Sequence, residues 1–270
     1  MDTKTPTVTV GNDMPPELFD EIDATLRSLG VNVKTDGPVP GRGLGRVIVV
    51  VAPKGGSGKT AISSNLAVAL AARNPGRVAV VDLDVQFGDL ALALSLDPQR
   101  TLAQLARGAE IDVTTTKVHL TSSPHKLFLL AGAADPVDAE SIRDEHVAVV
   151  LPLLAQSFDY VVVDTAAGLD ELTLAALDCA TDVLLVSSLD VTSIRSLRNA
   201  LDAFDHIGIS AERTLLLNRA DSKVGLNPSD AEDVMGMKIA CSIPSSREIP
   251  LSLNLGTPVV ISEPKSAVAK

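Results

Sequence analysis

The chain has 270 residues, enough for one large α/β domain with a substantial core. Hydrophobic residues make up 46 % and aromatics 2 %, with no Trp. This speaks against a single-strand nucleic-acid binder built on stacking platforms, and for Val and Leu strands packed by Ala-rich helices. A formal net charge of −11 makes the chain a poor general binder of DNA or anionic lipid, unless a local basic patch serves.

Residues 1–45 differ from the rest. "TVTV" (7–10) reads as a short strand. "PPELFDEIDATLRSLG" (15–30) reads as an amphipathic helix with Leu18, Phe19, Ile22, Leu26 and Leu29 on one face and Gly30 at its end. "VNV" (31–33) reads as a second strand, and the Gly/Pro-rich "TDGPVPGRGLGR" (35–46) as a linker. This is too little for an independent domain, so residues 1–45 are expected to be an arm preceding a domain over 46–270.

From Arg46 strand and helix patterns alternate. "RVIVVVA" (46–52) is a continuous apolar run, the mark of a parallel strand buried on both faces. Helix is expected over 59–73, strand over 77–84, a short helix over 101–108 and strands at 118–121 and 126–132. Helix follows over 143–158, interrupted by Pro152, then strand over 159–165. Helix (169–180), strand (182–188), helix (191–208), strand (213–219), helix (227–236), strand (238–244) and helix (247–256) complete the series. Such alternation predicts a doubly wound, mostly parallel sheet with helices on both faces. "SEPKSAVAK" (262–270) reads as a helix start, with Ser262 as cap and Pro264 in the first turn, as though the domain were cut short at its C-terminus.

Cys179 and Cys241 fit no metal or redox spacing and read as buried small hydrophobes of a reducing compartment. The N-terminus lacks a basic flank followed by an apolar core, and no stretch approaches the length of a spanning helix. The expected location is the cytoplasm.

The stretch "VVVAPKGGSGKTAISSNLA" (49–67) carries the chemistry. Backbone N–H groups of a glycine-rich turn between strand and helix cradle phosphate oxygens, and the helix N-terminus adds its positive dipole end. Here Lys54, Gly55, Gly56, Ser57, Gly58, Lys59, Thr60 and Ala61 form the candidate nucleotide loop. Lys59 is placed to reach the terminal phosphates, and Thr60 to offer its hydroxyl to Mg²⁺. Pro53 replaces the first Gly of the general pattern G-x-x-x-x-G-K-[ST], but the essential donors lie at 55–61.

"KGGSGKT" resembles the deviant Walker A motif of the MinD/ParA family of ATPases. The resemblance implies that Lys54 reaches across a homodimer interface to the partner's ATP, so that Lys54, Lys59 and Asp84 are the candidate catalytic groups. "VVDLDVQFGD" (80–89) is similar to the family's switch I strand, which places Asp82 near the metal's water shell and has Asp84 orient the attacking water. "YVVVDTAAGLD" (160–170) is similar to Walker B and switch II. There Asp164 would hold Mg²⁺ through water, and Gly168 would offer its N–H to the γ-phosphate. "LLLNRA" (215–220) assigns Asn218 and Arg219 to the adenine side, and "IPSSREIPLSLNLGTPVV" (243–260) adds Pro244 and Ser245. Taken singly, Asp82, Asp84, Asp164 and Asn218 are ordinary turn or cap residues. Their order around the loop over residues 46–264 carries the assignment.

Within the family, "DLDVQFGDLALALSLDPQRTLAQLA" and "DTAAGLDELTLAALDCATDVLLV" look most like the CpaE/TadZ branch, which localises pilus assembly machinery. That resemblance implies protein partners at a pilus or polar assembly, and makes residues 1–45 a remnant of a receiver-like domain. Retention of Lys54, Lys59, Thr60, Asp84 and Asp164 implies slow, partner-stimulated hydrolysis of ATP. Three alternatives stand beside it. The first is a ParA-like DNA-binding positioner using Arg195, Arg198, Arg213, Arg219 and Lys223. Against it, Arg198 is spaced to pair with Asp202 on a solvated helix face. The second is a nucleotide-binding scaffold with negligible hydrolysis. The third is a small-molecule kinase or amidoligase related to dethiobiotin synthetase, for which no substrate residues stand out. An amphipathic membrane helix of the MinD kind is not visible in the chain.

Overall fold

The computed structural model describes residues 7–10, 32–35, 43–222 and 225–270. The expected helix over 15–30, most of the 35–46 linker and Lys223 lie outside the described residues. The chain divides into two compact units, Met1–Gly45 and Arg46–Lys270. In the first, β1 (Thr7–Val10) pairs parallel with β2 (Asn32–Thr35), from Thr7 opposite Asn32 to Val10 opposite Thr35.

The second unit is an eight-stranded sheet in the order β10-β9-β8-β3-β7-β4-β6-β5. Its strands are β3 (Arg46–Val51), β4 (Val78–Leu83), β5 (Thr121–Ser122), β6 (Phe128–Leu130), β7 (Tyr160–Thr165), β8 (Asp182–Ser188), β9 (Glu212–Asn218) and β10 (Ile239–Ile243). All neighbours run parallel except the antiparallel edge pair β5–β6. The longer helices are α1 (Lys59–Arg73), α6 (Asp144–Ser157), α7 (Glu171–Asp178), α8 (Val191–Ile207), α9 (Pro228–Met235) and α10 (Glu248–Leu255). The short ones are α2 (Leu90–Ala93), α3 (Leu102–Ala106), α4 (Val113–Val118), α5 (Pro136–Ala139) and α11 (Val259–Ser262).

The central strands are apolar on both faces because both faces are covered. Val47, Val49 and Val51 of β3 join Ala79, Val81, Val161 and Val163 in one cluster under α6, α7 and α8. Val50 with Val78, Val80 and Val162 faces the other way, under Ala67, Val68 and Ala71 of α1. The chain leaves β3 toward β4 on one side and later returns to β8 on the other. β3 is therefore the point at which the winding reverses, and ligands bind beyond the carboxyl ends of strands at such a point. The Arg46 unit is the doubly wound domain that the alternation predicts.

Three expectations need correction. The "VHLT" strand does not form: Val118 ends helix α4, and only Thr121 joins the two-residue β5. "VTTTKV" is helical despite its β-branched residues because Asp112 and Thr115 close a capping box. Ser262 closes α11 rather than opening a helix: Glu263, restricted by Pro264, leaves helical geometry at φ −137°. Cys179 is half-buried, but Cys241 is exposed on the edge strand β10, so only the first behaves as a core filler. Among the described residues no helix is long and apolar enough to cross a membrane.

Candidate functional site

The loop 52–58 leaves the carboxyl end of β3 and turns directly into α1. Gly58 stands at the N-cap with φ 94°, a left-handed conformation that favours glycine, and no side chain caps the helix. The first N–H groups of a fifteen-residue helix are thus left for something other than a protein cap. Lys59, in the first turn, is buried, while Gly55 and Gly56 are exposed. Ser57 is buried and its hydroxyl donates to the Lys54 carbonyl, closing the loop on itself.

This loop forms one wall of a cavity of about 540 Å³, within the usual range of small-ligand sites. Gly55, Gly56, Gly58, Lys59, Thr60 and Ala61 line it from one side. Asp84, Asp89 and Ala167 line it at the strand ends, and Asn218, Arg219, Pro244, Ser245 and Ser246 line it opposite. Leu92 of α2 and Ile249, Pro250 and Leu253 of α10 give it an apolar flank. The structure therefore gathers the loop, the β4 end, the β9 end and the β10–α10 loop around one space, although Gly55 and Ser246 are 191 residues apart in sequence.

Asp164, at the end of β7, is fully buried. Its Oδ1 accepts from the Ser63 hydroxyl at 2.8 Å, and its Oδ2 has no hydrogen-bond partner. Burial pushes its pKa up to about 6, while the Thr60 and Ser63 hydroxyls and the Lys59 ammonium hold it down. An orphaned buried carboxylate oxygen, close to a Thr hydroxyl and a Lys, is a mismatch that a divalent cation would relieve. Among the described residues no cluster of three or more His, Cys, Asp or Glu could hold a metal by itself. The donor set therefore fits Mg²⁺, which keeps waters and phosphate oxygens and needs one or two carboxylates from the protein.

Asp84 is half-buried on the same cavity. Burial raises its pKa, Lys59 opposes the shift, and Asp89 and Asp170 add to it. Asp82 is the carboxylate expected near the metal's water shell. It is buried, and its two oxygens accept the backbone N–H groups of Asp84 (3.1 Å) and Leu90 (3.2 Å). It sits beside Asp164 in register, and burial together with that neighbour raises its pKa well above the ordinary carboxylate value. Each oxygen accepts one amide, so Asp82 shapes the 84–90 loop that carries Asp84.

Lys54 is exposed and turned away from its own loop. Its Nζ bonds Asp190 Oδ1 at 3.2 Å and Thr192 Oγ1 at 2.9 Å at the start of α8. Burial works against ionisation of Asp190. The Ser193, Thr192 and Ser188 hydroxyls and the Ser193 N–H outweigh it and hold the carboxyl far below the usual range. Gly168 (φ 96°) lies by the loop, but its N–H donates to the Ala52 carbonyl at 3.3 Å, so offering it to a phosphate requires breaking that long bond. Asn218 Nδ2 donates to the Ser57 carbonyl at 2.7 Å, and its Oδ1 accepts from Arg219 N–H at 3.0 Å. Ser245 N–H donates to Asp221 at 2.7 Å, which fixes the loop after β10.

Sequence reasoning missed Ser63, Asp89, Asp190 and Thr192. Ser63 follows Lys59 by one helical turn, a spacing that points to the same buried side. Asp190 and Ser193 form a D-x-x-S cap signature, but nothing local links them to Lys54, 136 residues away.

A family model described as an AAA domain matches residues 45–216. The septum site-determining protein MinD of Thermotoga maritima is 28 % identical over 230 residues, covering 81 % of this chain and 82 % of that protein. The crystal structure of a ParA family ATPase from Chlorobium tepidum superposes with a TM-score of 0.78 at 26 % identity, covering 84 % of this chain and 95 % of that one. The septum site-determining protein MinD of Pyrococcus horikoshii, complexed with Mg-ADP, superposes with a TM-score of 0.75 at 25 % identity, over 84 % and 92 % of the two chains.

Proposed function

The chain belongs to the MinD/ParA family of P-loop ATPases, and from that membership we propose that it is an ATP-dependent, dimerising positional switch of the cytoplasm that localises pilus or secretion assembly machinery. The observation that carries the ATPase part is the uncapped start of α1 lining the cavity, together with the unpaired Oδ2 of Asp164 buried behind Lys59 and Thr60 of that wall. One feature suits a triphosphate and the other suits its metal.

In this reading the N–H groups of 55–61 and Lys59 bind the phosphates, and Thr60 and Asp164 hold Mg²⁺. Bound there, Mg²⁺ neutralises charge on the phosphate oxygens. Asp84 orients the attacking water, and Asp82 keeps the Asp84 loop in shape. Pro244, Ser245 and Arg219 close over the base. Lys54 leaves Asp190 and crosses to a second copy's nucleotide, so that ATP favours the homodimer and hydrolysis releases it. Without a partner protein the rate is slow.

The pilus assignment rests on the resemblance of the 82–106 and 164–186 segments to the CpaE/TadZ branch. A ParA-like DNA role is the second reading, and the surface disfavours it. Arg198 pairs with Asp202 and also donates to the Met235 carbonyl, and Arg213 pairs with Asp205. Binding of Asp84→Ala protein with Mg-ATP to non-specific duplex DNA at moderate salt separates the two. The pilus reading predicts no binding by a demonstrably dimeric protein. ATP-dependent, steeply salt-sensitive binding would replace it with the DNA reading. Phosphate release above a Lys59→Ala control separates both from a scaffold without hydrolysis.

A further inference from the structure

The Asn218 amide joins two parts of the cavity that the sequence keeps 161 residues apart. Asn218 ends β9, and the chain then enters a left-handed turn at Arg219, φ 54°, an uncommon conformation for a non-glycine residue. The Oδ1 of Asn218 holds the Arg219 N–H in that turn. Its Nδ2 holds the Ser57 carbonyl in the nucleotide loop. Asn218 is buried, so neither bond is readily replaced by water.

The Ser57 contact has a geometric consequence. In a trans peptide the C=O and the following N–H point in opposite directions. Anchoring the Ser57 carbonyl on Asn218 therefore turns the Gly58 N–H to the other side. Gly58 itself admits no side chain, since a Cβ there would lie 2.5 Å from Asn218 Nδ2. The carboxamide fills the space that the left-handed Gly58 leaves, and the loop is braced from behind by one side chain.

We propose that Asn218 is a positioning residue for the phosphate-binding loop, setting the Ser57–Gly58 peptide for phosphate whether or not a base is present. This deepens the nucleotide reading and rests on it. An asparagine carries two amide hydrogens and two carbonyl lone pairs. One of each is committed to Ser57 and Arg219, so a base contact by the remaining pair would tie base and phosphate recognition to the same group.

The test compares Mg-ATP with Mg-tripolyphosphate, which has the phosphates and no base. Binding is measured by calorimetry or by displacement of a fluorescent ADP, in full-length wild type, Asn218→Ala and Asn218→Asp. Both variants lose the donor to Ser57, and Asn218→Asp keeps the size and the acceptor to Arg219. The proposal predicts that Asn218→Ala weakens ATP and tripolyphosphate by the same factor, about tenfold, and that Asn218→Asp, which also adds a negative charge, weakens both by more. It also predicts faster amide exchange at 55–61 with unchanged exchange in β3 and β7, which a general loss of stability would not leave untouched. If the variants weaken ATP and leave tripolyphosphate unaffected, Asn218 is a base contact only and the proposal is overturned. A wild-type protein that binds ATP and no tripolyphosphate also overturns it. A wild-type protein that binds neither overturns the nucleotide reading itself. Should Asn218→Ala fail to fold, Asn218→Leu, which keeps the size, lacks the donor and adds no charge, carries the comparison.

Discussion

The two ends of the central sheet are built to opposite rules. At the amino ends of the strands polar groups are paired within the protein. Arg46 Nε donates to Asp182 at 2.9 Å, Arg77 pairs with Asp159 at 2.8 Å, and backbone bonds link Arg46 to Asp159 and Thr181 to Val47. At the carboxyl ends of the same strands a helix starts without a cap, Asp164 keeps an unpaired oxygen and Asp82 lies against Asp164. Buried polar groups are normally satisfied, so the imbalance marks the end at which the protein expects a ligand. The amino end holds the fold, and the carboxyl end carries an electrostatic cost that a bound metal and phosphate relieve.

Substitutions at the two ends should therefore separate binding from stability. The largest effect is expected for Lys59→Ala, which removes the buried ammonium beside Asp84 and Asp164. Mg-ATP affinity measured by calorimetry should fall by about 100-fold or more. Asp84→Ala should lower single-turnover phosphate release by about 100-fold and leave ATP affinity within a few-fold, because the group acts on water. Asp164→Asn should do the reverse to stability. Because the folded pKa of Asp164 is raised to about 6, the nucleotide-free protein holds its proton more tightly than the unfolded chain. Wild-type stability contributed by this group is thus present below about pH 4 and lost as pH rises through 6. Asn carries no such loss, so at pH 7.5 the variant should be more stable than wild type by on the order of 1–3 kcal/mol, a gap that shrinks in melts at pH 4.5. At the opposite end, Arg46→Ala removes the cationic partner of the Asp182 carboxylate and leaves it the Thr181 hydroxyl. It should cost about 1–2 kcal/mol in chemical denaturation and leave nucleotide affinity unchanged. An Arg46→Ala protein with weakened ATP binding, or an Asp164→Asn protein no more stable than wild type, would break the division between the ends.

The sequence made the architecture legible where burial is two-sided. Continuous Val and Ile runs at 47–51 and 161–163 can be little else than inner parallel strands, and helix α1 follows from the loop that precedes it. Short elements escaped because their signals are capping bonds rather than periodicity: the Asp112–Thr115 box turns a β-branched run into α4, and Asp135 caps α5. At the site, spacing was enough to name the loop, since backbone chemistry is local there. It could not say which way a strand-end carboxylate turns. Asp82 and Asp84 are two residues apart, yet one closes on backbone amides and the other faces the cavity. Nor could it show that Lys54 rests on Asp190 or Asn218 on Ser57, because both contacts join segments that only the fold brings together.

The central claim is that ATP and its hydrolysis switch the protein between two copies held together and two copies apart. The most direct measurement is the mass in solution, by sedimentation or light scattering, of Asp84→Ala protein at micromolar concentration with Mg-ATP and with Mg-ADP. The account predicts a dimer with ATP and a monomer with ADP, and a monomer with either nucleotide when Lys59→Ala is added. A protein that binds ATP and has the same mass with both nucleotides would contradict it.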